Sequence, residues 1–139
     1  MKYQNIIDNM TLKEKAAFLS GKSEWQTRDF PRLDIPAIFC SDGPNGVRKQ
    51  AGAGDHLGIN PAVPATCFPT AATIANSWDP DLGEEIGKAL GEEAAAQDVN
   101  IVLGPGLNMK RSPLCGRNFE YFSEDPYLAG KMAAAYVRG

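Results

Sequence analysis

Apolar positions along this 139-residue chain fall into blocks of two kinds, some at helical spacing and some in short unbroken runs. The clearest helical block follows Asp79-Pro80. Asp79 suits a helix cap, Pro80 suits the first helical position, and Asp81, Glu84 and Glu85 favour the positive end of the dipole. Leu82, Ile86, Ala89, Leu90 and Ala94 then share one face through about residue 97. Glu84/Glu85 and Glu92/Glu93 are predicted to face solvent. Thr11-Leu12-Lys13-Glu14 reads as a capping box that opens a short helix, with Leu12, Ala16 and Leu19 on one face and Gly21 as a stop. Ser123 or Asp125 caps a last helix, with Pro126 in its first turn and Leu128, Met132 and Ala135 as its stripe.

Two apolar runs lack alternation. Ile35 to Cys40 and Val99 to Leu103 each suit a strand buried on both faces of a parallel sheet. Pro36 is tolerable near the start of the first. Turn chemistry ends both, as Ser41-Asp42-Gly43-Pro44-Asn45-Gly46 and as Gly104-Pro105-Gly106. Residues 50–66, and the polar stretch running to Phe122, are predicted to be long loops, which in compact domains tend to be functional. Strand, loop and helix, twice over, predict parallel α/β architecture with ligands at the carboxyl ends of the strands.

Charge and composition remove several classes. A net charge of −3 without a basic run excludes a nucleic-acid binder, which needs clustered Lys and Arg. No apolar run approaches the roughly 18 residues of a membrane span, and Met1 to Asn5 lack the apolar core of a signal peptide. Cys40, Cys67 and Cys115 are odd in number and widely spaced, so reduced thiols and a cytoplasmic setting are expected.

The candidate chemistry sits after the two strands. Gly43 and Gly46 allow a sharp turn that leaves Asp42 at the strand tip, either to accept hydrogen bonds from a ligand hydroxyl or to organise the turn through its own backbone amides. Arg117, between Gly116 and Asn118, offers a planar fork of donors to a hydroxyl pair or a carboxylate, or else pairs with Glu120 or Asp125. The glycine spacing of residues 104–116 does not match a phosphate-cradling loop. The lone His56 reads as a solvated loop residue rather than a metal ligand or base, and no metal or cofactor set emerges. Asp42 and Glu120 invite reading as a glycosidase pair, but any two acids separated by a fold would do the same.

Three ordered motifs are more specific than any of these alone: Ser-Asp-Gly-Pro-Asn-Gly-Val-Arg at 41–48, Thr-Cys-Phe-Pro-Thr at 66–70, and Gly-Arg-Asn-Phe-Glu-Tyr-Phe-Ser-Glu-Asp-Pro at 116–126. With the opening Met-Thr-Leu-Lys-Glu-Lys-Ala at 10–16, they resemble the N-terminal barrel of glycoside hydrolase family 3, in order and over essentially the whole chain. The closest resemblance is to the bacterial β-glucosidases of that family.

The resemblance implies a fold of class α/β, the N-terminal part of a (β/α)₈ TIM-type barrel, incomplete in this chain, with residues 1–139 as one partial domain. It implies retaining hydrolysis of terminal β-linked sugars, with Asp42 and Arg117 gripping the sugar in the −1 subsite. Arg48 and Arg111 match recurrent arginines near that site. The family's nucleophilic Asp and acid/base Glu are expected beyond residue 139, so no catalytic carboxyl is assigned in this chain and the isolated chain is expected to be inactive. The implied partners are a small carbohydrate and the remainder of the enzyme, with no nucleic acid, membrane or cofactor. Lys110 departs from the family's frequent His at that position. A non-catalytic sugar-binding remnant, or a related β-xylosidase or other β-glycosidase, is the alternative.

Overall fold

The fold was described from a computed structural model, which covers residues 2–139 apart from 53 and 55–58. His56 lies outside the described residues. The order is α1 (Gln4–Asn9), α2 (Leu12–Phe18), β1 (Cys40–Asp42), α3 (Ala71–Ala75), α4 (Pro80–Ala96), β2 (Ile101–Leu103) and α5 (Pro126–Arg138). Single 3₁₀ turns cover Pro31–Leu33 and Asn118–Glu120.

The two strands pair in parallel, with Cys40 opposite Ile101, Ser41 opposite Val102 and Asp42 opposite Leu103. Neither matches its predicted run: β2 lacks Val99 and Asn100, and β1 shares only Cys40 with the run from Ile35 and continues through Ser41 and Asp42, which were expected in the turn. Residues ahead of β1 join antiparallel bridges instead, Phe30 with Ile35 and Gln26 with Phe39. The loop preceding them folds back and takes their hydrogen bonds, as when Thr27 N–H donates to the Ile38 carbonyl at 3.0 Å. Burial on both faces is corrected as well. Ser41 is buried, but Asp42, Ile101 and Leu103 are exposed, because no element among the described residues covers that side.

The core lies where α4 and α5 pack on each other, joined by α3, Val47, Val99 and Phe122. The predicted caps are present: Asp79 accepts from the Asp81 amide and Asp125 from the Tyr127 amide, both at 2.9 Å. Ser123 acts one step earlier, accepting from the Asp125 amide at 3.0 Å. Of the apolar stripe read from the sequence, Leu90 and Ala94 are buried and Ile86 packs half-buried against the core, whereas Leu82 and Ala89 are exposed and Gly83 and Gly87 take the buried positions instead. A methyl group on Gly87 would lie 2.1 Å from the Tyr136 carbonyl oxygen, so the glycines set how closely α5 can approach.

Two further expectations change. The capping box of α2 forms, with the Glu14 amide donating to Thr11 Oγ1 at 3.2 Å and the Thr11 amide to Glu14 Oε2 at 2.8 Å. Its apolar face nevertheless stays open, with Leu12 82% and Leu19 89% exposed. Glu93 does not simply face solvent, because it accepts from the Thr66 amide at 2.9 Å and from its hydroxyl at 3.2 Å, tying the long loop to α4. Helices α1 and α3 had no counterpart in the sequence reading. No helix among the described residues is long and apolar enough to cross a membrane.

The accessible surface is 9115 Å², against about 7,000 Å² expected for a self-contained globule of this mass. Leu114, Tyr127 and Val137 join the α2 residues in that excess. These are faces shaped for further structure.

Candidate sugar site

Because β1 and β2 run in parallel and in register, the loops leaving Asp42 and Leu103 emerge side by side at the carboxyl end of the pair. They also touch. A methyl group on Gly104 would stand 2.9 Å from Pro44 Cα, so the second loop begins directly against the first.

The turn after β1 is closed by backbone bonds. Arg48 N–H donates to the Asp42 carbonyl at 2.8 Å, and Gly46 N–H to the Gly43 carbonyl at 3.2 Å. Gly43 and Gly46 take φ of 143° and 138°, values that favour glycine, as the turn chemistry predicts. Ser41, 1% exposed, donates its hydroxyl to the Asp42 carbonyl at 3.0 Å. From the far side, Tyr136 Oη donates to the Pro44 carbonyl at 2.8 Å, fastening the turn to α5. The Asp42 carboxylate takes no hydrogen bond or ion pair among the described residues, and it is exposed at the strand tip. Of the two roles open to it in the sequence, organising the turn through side-chain bonds is therefore not what the structure shows. Arg48 is half-buried beside it.

The loop after β2 is stiffened by Asn118, whose Nδ2 donates to the Ser112 carbonyl at 2.8 Å, and by the Lys110 amide, which donates to the Ser123 carbonyl at 3.2 Å. Arg117 pairs through Nε with Glu120 Oε1, and its guanidinium carbon sits 5.7 Å from the centre of the Tyr121 ring. Glu120, not Asp125, is thus its partner, since Asp125 caps α5. The hydrogen bond to the Glu120 carboxylate holds the Arg117 guanidinium above its ordinary pKa. Engaged in this way, Glu120 is not the free acid that a pairing with Asp42 would need.

Arg111 is exposed and lines a cleft of ≈ 470 Å³ together with Trp78, Lys110, Asn118, Phe122 and Leu128. Trp78 was missed in the sequence, although an aromatic directly ahead of the Asp79-Pro80 cap was a signal. The tie from Tyr136 to Pro44 had no sequence signal, because the partners are 92 residues apart. Among the described residues no three His, Cys, Asp or Glu side chains gather in a metal-binding group.

The family model for the Glycosyl hydrolase family 3 N terminal domain matches residues 6–139. The "Thermostable beta-glucosidase B" of Acetivibrio thermocellus is 57% identical over 136 residues, which are 98% of this chain and 18% of that protein. An "Exo-alpha-(1->6)-L-arabinopyranosidase" of Bifidobacterium longum is 45% identical over 134 residues, covering 96% of this chain and 18% of that protein. Among solved structures, a beta-glucosidase from Kluyveromyces marxianus in complex with glucose matches with a TM-score of 0.88 and 40% identity, over 98% of this chain and 16% of that one. Beta-glucosidase 3B from Thermotoga neapolitana in complex with glucose matches with a TM-score of 0.86 and 36% identity, over 99% and 21%. The chain thus spans about a fifth of the length of these relatives, and its fold is the N-terminal part of a (β/α)₈-type barrel.

Proposed function

Because this chain belongs to glycosyl hydrolase family 3, we propose that it supplies −1 subsite residues to a retaining, β-glucosidase-like enzyme acting on terminal β-linked sugars. The observation that carries this reading is the Asp42 carboxylate at the tip of β1, unengaged among the described residues, beside a loop that carries Arg117. Asp42 accepts from sugar hydroxyls, Arg117 donates through its free terminal nitrogens, and Arg48 and Arg111 flank them. A sugar held from two adjacent strand tips is fixed in orientation, which is what displacement at its anomeric carbon requires. Retaining hydrolysis also needs a nucleophilic and an acid/base carboxyl roughly 5–5.5 Å apart. In this reading both come from the remainder of the polypeptide, and the reaction uses no cofactor. Free thiols at Cys40, Cys67 and Cys115 support a reducing, cytoplasmic setting.

The arabinopyranosidase relative, 45% identical, favours a second reading in which the same framework serves a different sugar. A panel of aryl glycosides separates the two.

The deciding experiment is kinetic. In the complete polypeptide that carries this chain, Asp42→Ala and Arg117→Ala should each lower kcat/KM on an aryl β-glucoside by about 10- to 100-fold, with Tm unchanged. A fall in Tm with unaltered kcat/KM would remove both residues from the site.

A further inference from the structure

We propose that Glu120 is a positioning residue, a half-buried anionic mount that aims the Arg117 guanidinium at the sugar. The inference rests on the reading of Arg117 as a sugar-binding residue and adds the device that orients it.

The contrast in exposure is the first observation. The Glu120 side chain is 15% exposed and the Arg117 side chain 70% exposed. An arginine that open to water has many rotamers, and a ligand would have to freeze them on arrival. The second observation is which nitrogen is taken. Glu120 Oε1 accepts from Nε, the inner nitrogen, and the two terminal Nη groups make no hydrogen bond among the described residues. The outward edge of the fork, which can grip two oxygens together, is left for a ligand. The Tyr121 ring, 5.7 Å away, limits the guanidinium from a second side.

The mount is itself held. Gly106, just beyond β2, bridges Tyr121. A methyl group on Gly106 would fall 2.7 Å from the Glu120 carbonyl oxygen and 2.9 Å from Tyr121 Cδ1. No slack remains between the strand extension and the residues that hold Arg117. The 3₁₀ turn Asn118–Glu120 packs on α3 from the other side. A rigid path therefore runs from the sheet through Glu120 to the guanidinium. A surface ion pair without such a path would contribute little and would act on stability alone.

A double-mutant cycle in the complete polypeptide tests this. Glu120→Ala should lower kcat/KM on an aryl β-glucoside about 10-fold, while Glu120→Gln, which keeps an acceptor oxygen without the charge, should restore most of the loss. Inhibition by free glucose should weaken in parallel, with Tm nearly constant. In the Arg117→Ala background the same substitutions should change kcat/KM by less than about twofold, because the group they orient is gone. Should Glu120→Ala not fold, Glu120→Met, which keeps the length of the side chain without an acceptor oxygen, closes the cycle in its place. A full additive loss in the Arg117→Ala background, or a lower Tm with normal kcat/KM, overturns the positioning role while leaving Arg117 in the site. An Arg117→Ala variant with normal kcat/KM instead overturns the sugar-site reading, and the positioning role with it.

Discussion

The pair α1–α2 and the pair α4–α5 are both built from polar-capped or amphipathic helices, yet their fates differ. Neither α1 nor α2 has a buried residue. In α4 and α5 the buried positions include Gly87, Leu90, Met132 and Tyr136, and Met132 is wholly enclosed. Strength of local signal does not explain this, because α2 carries a complete capping box and a further tie from Arg32 to Glu14 at 2.7 Å. Nor does apolar content explain it. Tyr3, Ile6, Ile7, Met10, Phe18 and Ile35 surround an apolar hollow of ≈ 460 Å³ that nothing among the described residues fills. Caps decide that a helix exists, and burial requires a facing element at the right distance.

The contrast can be broken most forcefully at Gly87. Gly87→Val places a branched side chain where even a methyl group meets the Tyr136 carbonyl, and it should destabilise the α4–α5 pair by about 3 kcal/mol or more. Urea unfolding of the complete polypeptide measures this, and an unchanged midpoint would mean that the helices do not approach this closely.

A smaller effect is expected at Tyr136, which joins the helix pair to the turn after Asp42. Tyr136→Phe removes the bond to the Pro44 carbonyl and should cost about 1 kcal/mol. Burial pushes the phenol from 10.0 up to about 12, so the folded state holds its proton more tightly than the unfolded chain. The associated stability is complete below pH 10 and is lost as pH rises through about 12. Denaturation midpoints at about pH 9 and about pH 11 should therefore differ more for the wild type than for Tyr136→Phe. Equal differences would show that Tyr136 is not the group titrating.

The smallest effect belongs to the open pair. Thr11→Ala removes the cap of α2 and should weaken that helix by about 1 kcal/mol, seen as faster amide exchange over Leu12–Phe18. Exchange in α4 and α5 should stay the same, since α2 buries nothing there. Faster exchange throughout α5 as well would mean that the two regions are coupled.

Much was legible in the sequence because it is local. Asp79, Thr11 and Asp125 reach amides two or three residues away, so their caps follow from spacing alone. The same holds for the turn at Gly43 and Gly46, and it placed Asp42 at the tip of β1. The ordered motifs around Asp42 and Arg117 likewise carried the family, because a run of residues needs no knowledge of what packs against it.

Other features depended on tertiary structure. Which face of α4 is buried was decided by the approach of α5, which selected Gly83 and Gly87 over the more apolar Leu82. Periodicity ranks faces by hydrophobicity, whereas close helix packing rewards the absence of a side chain. Arg117 had two acids within reach, and the choice of Glu120 came only when Asp125 was claimed by the first turn of α5. The predicted strand before Cys40 was lost because residues 26–30 took the hydrogen bonds of residues 35–39, and β2 starts late because the Val99 amide donates to the Ala94 carbonyl at the end of α4. In each case the sequence determined which groups were able to interact, and the positions of distant segments determined which of them met, since the energy of a contact depends on distance in space and not on separation along the chain.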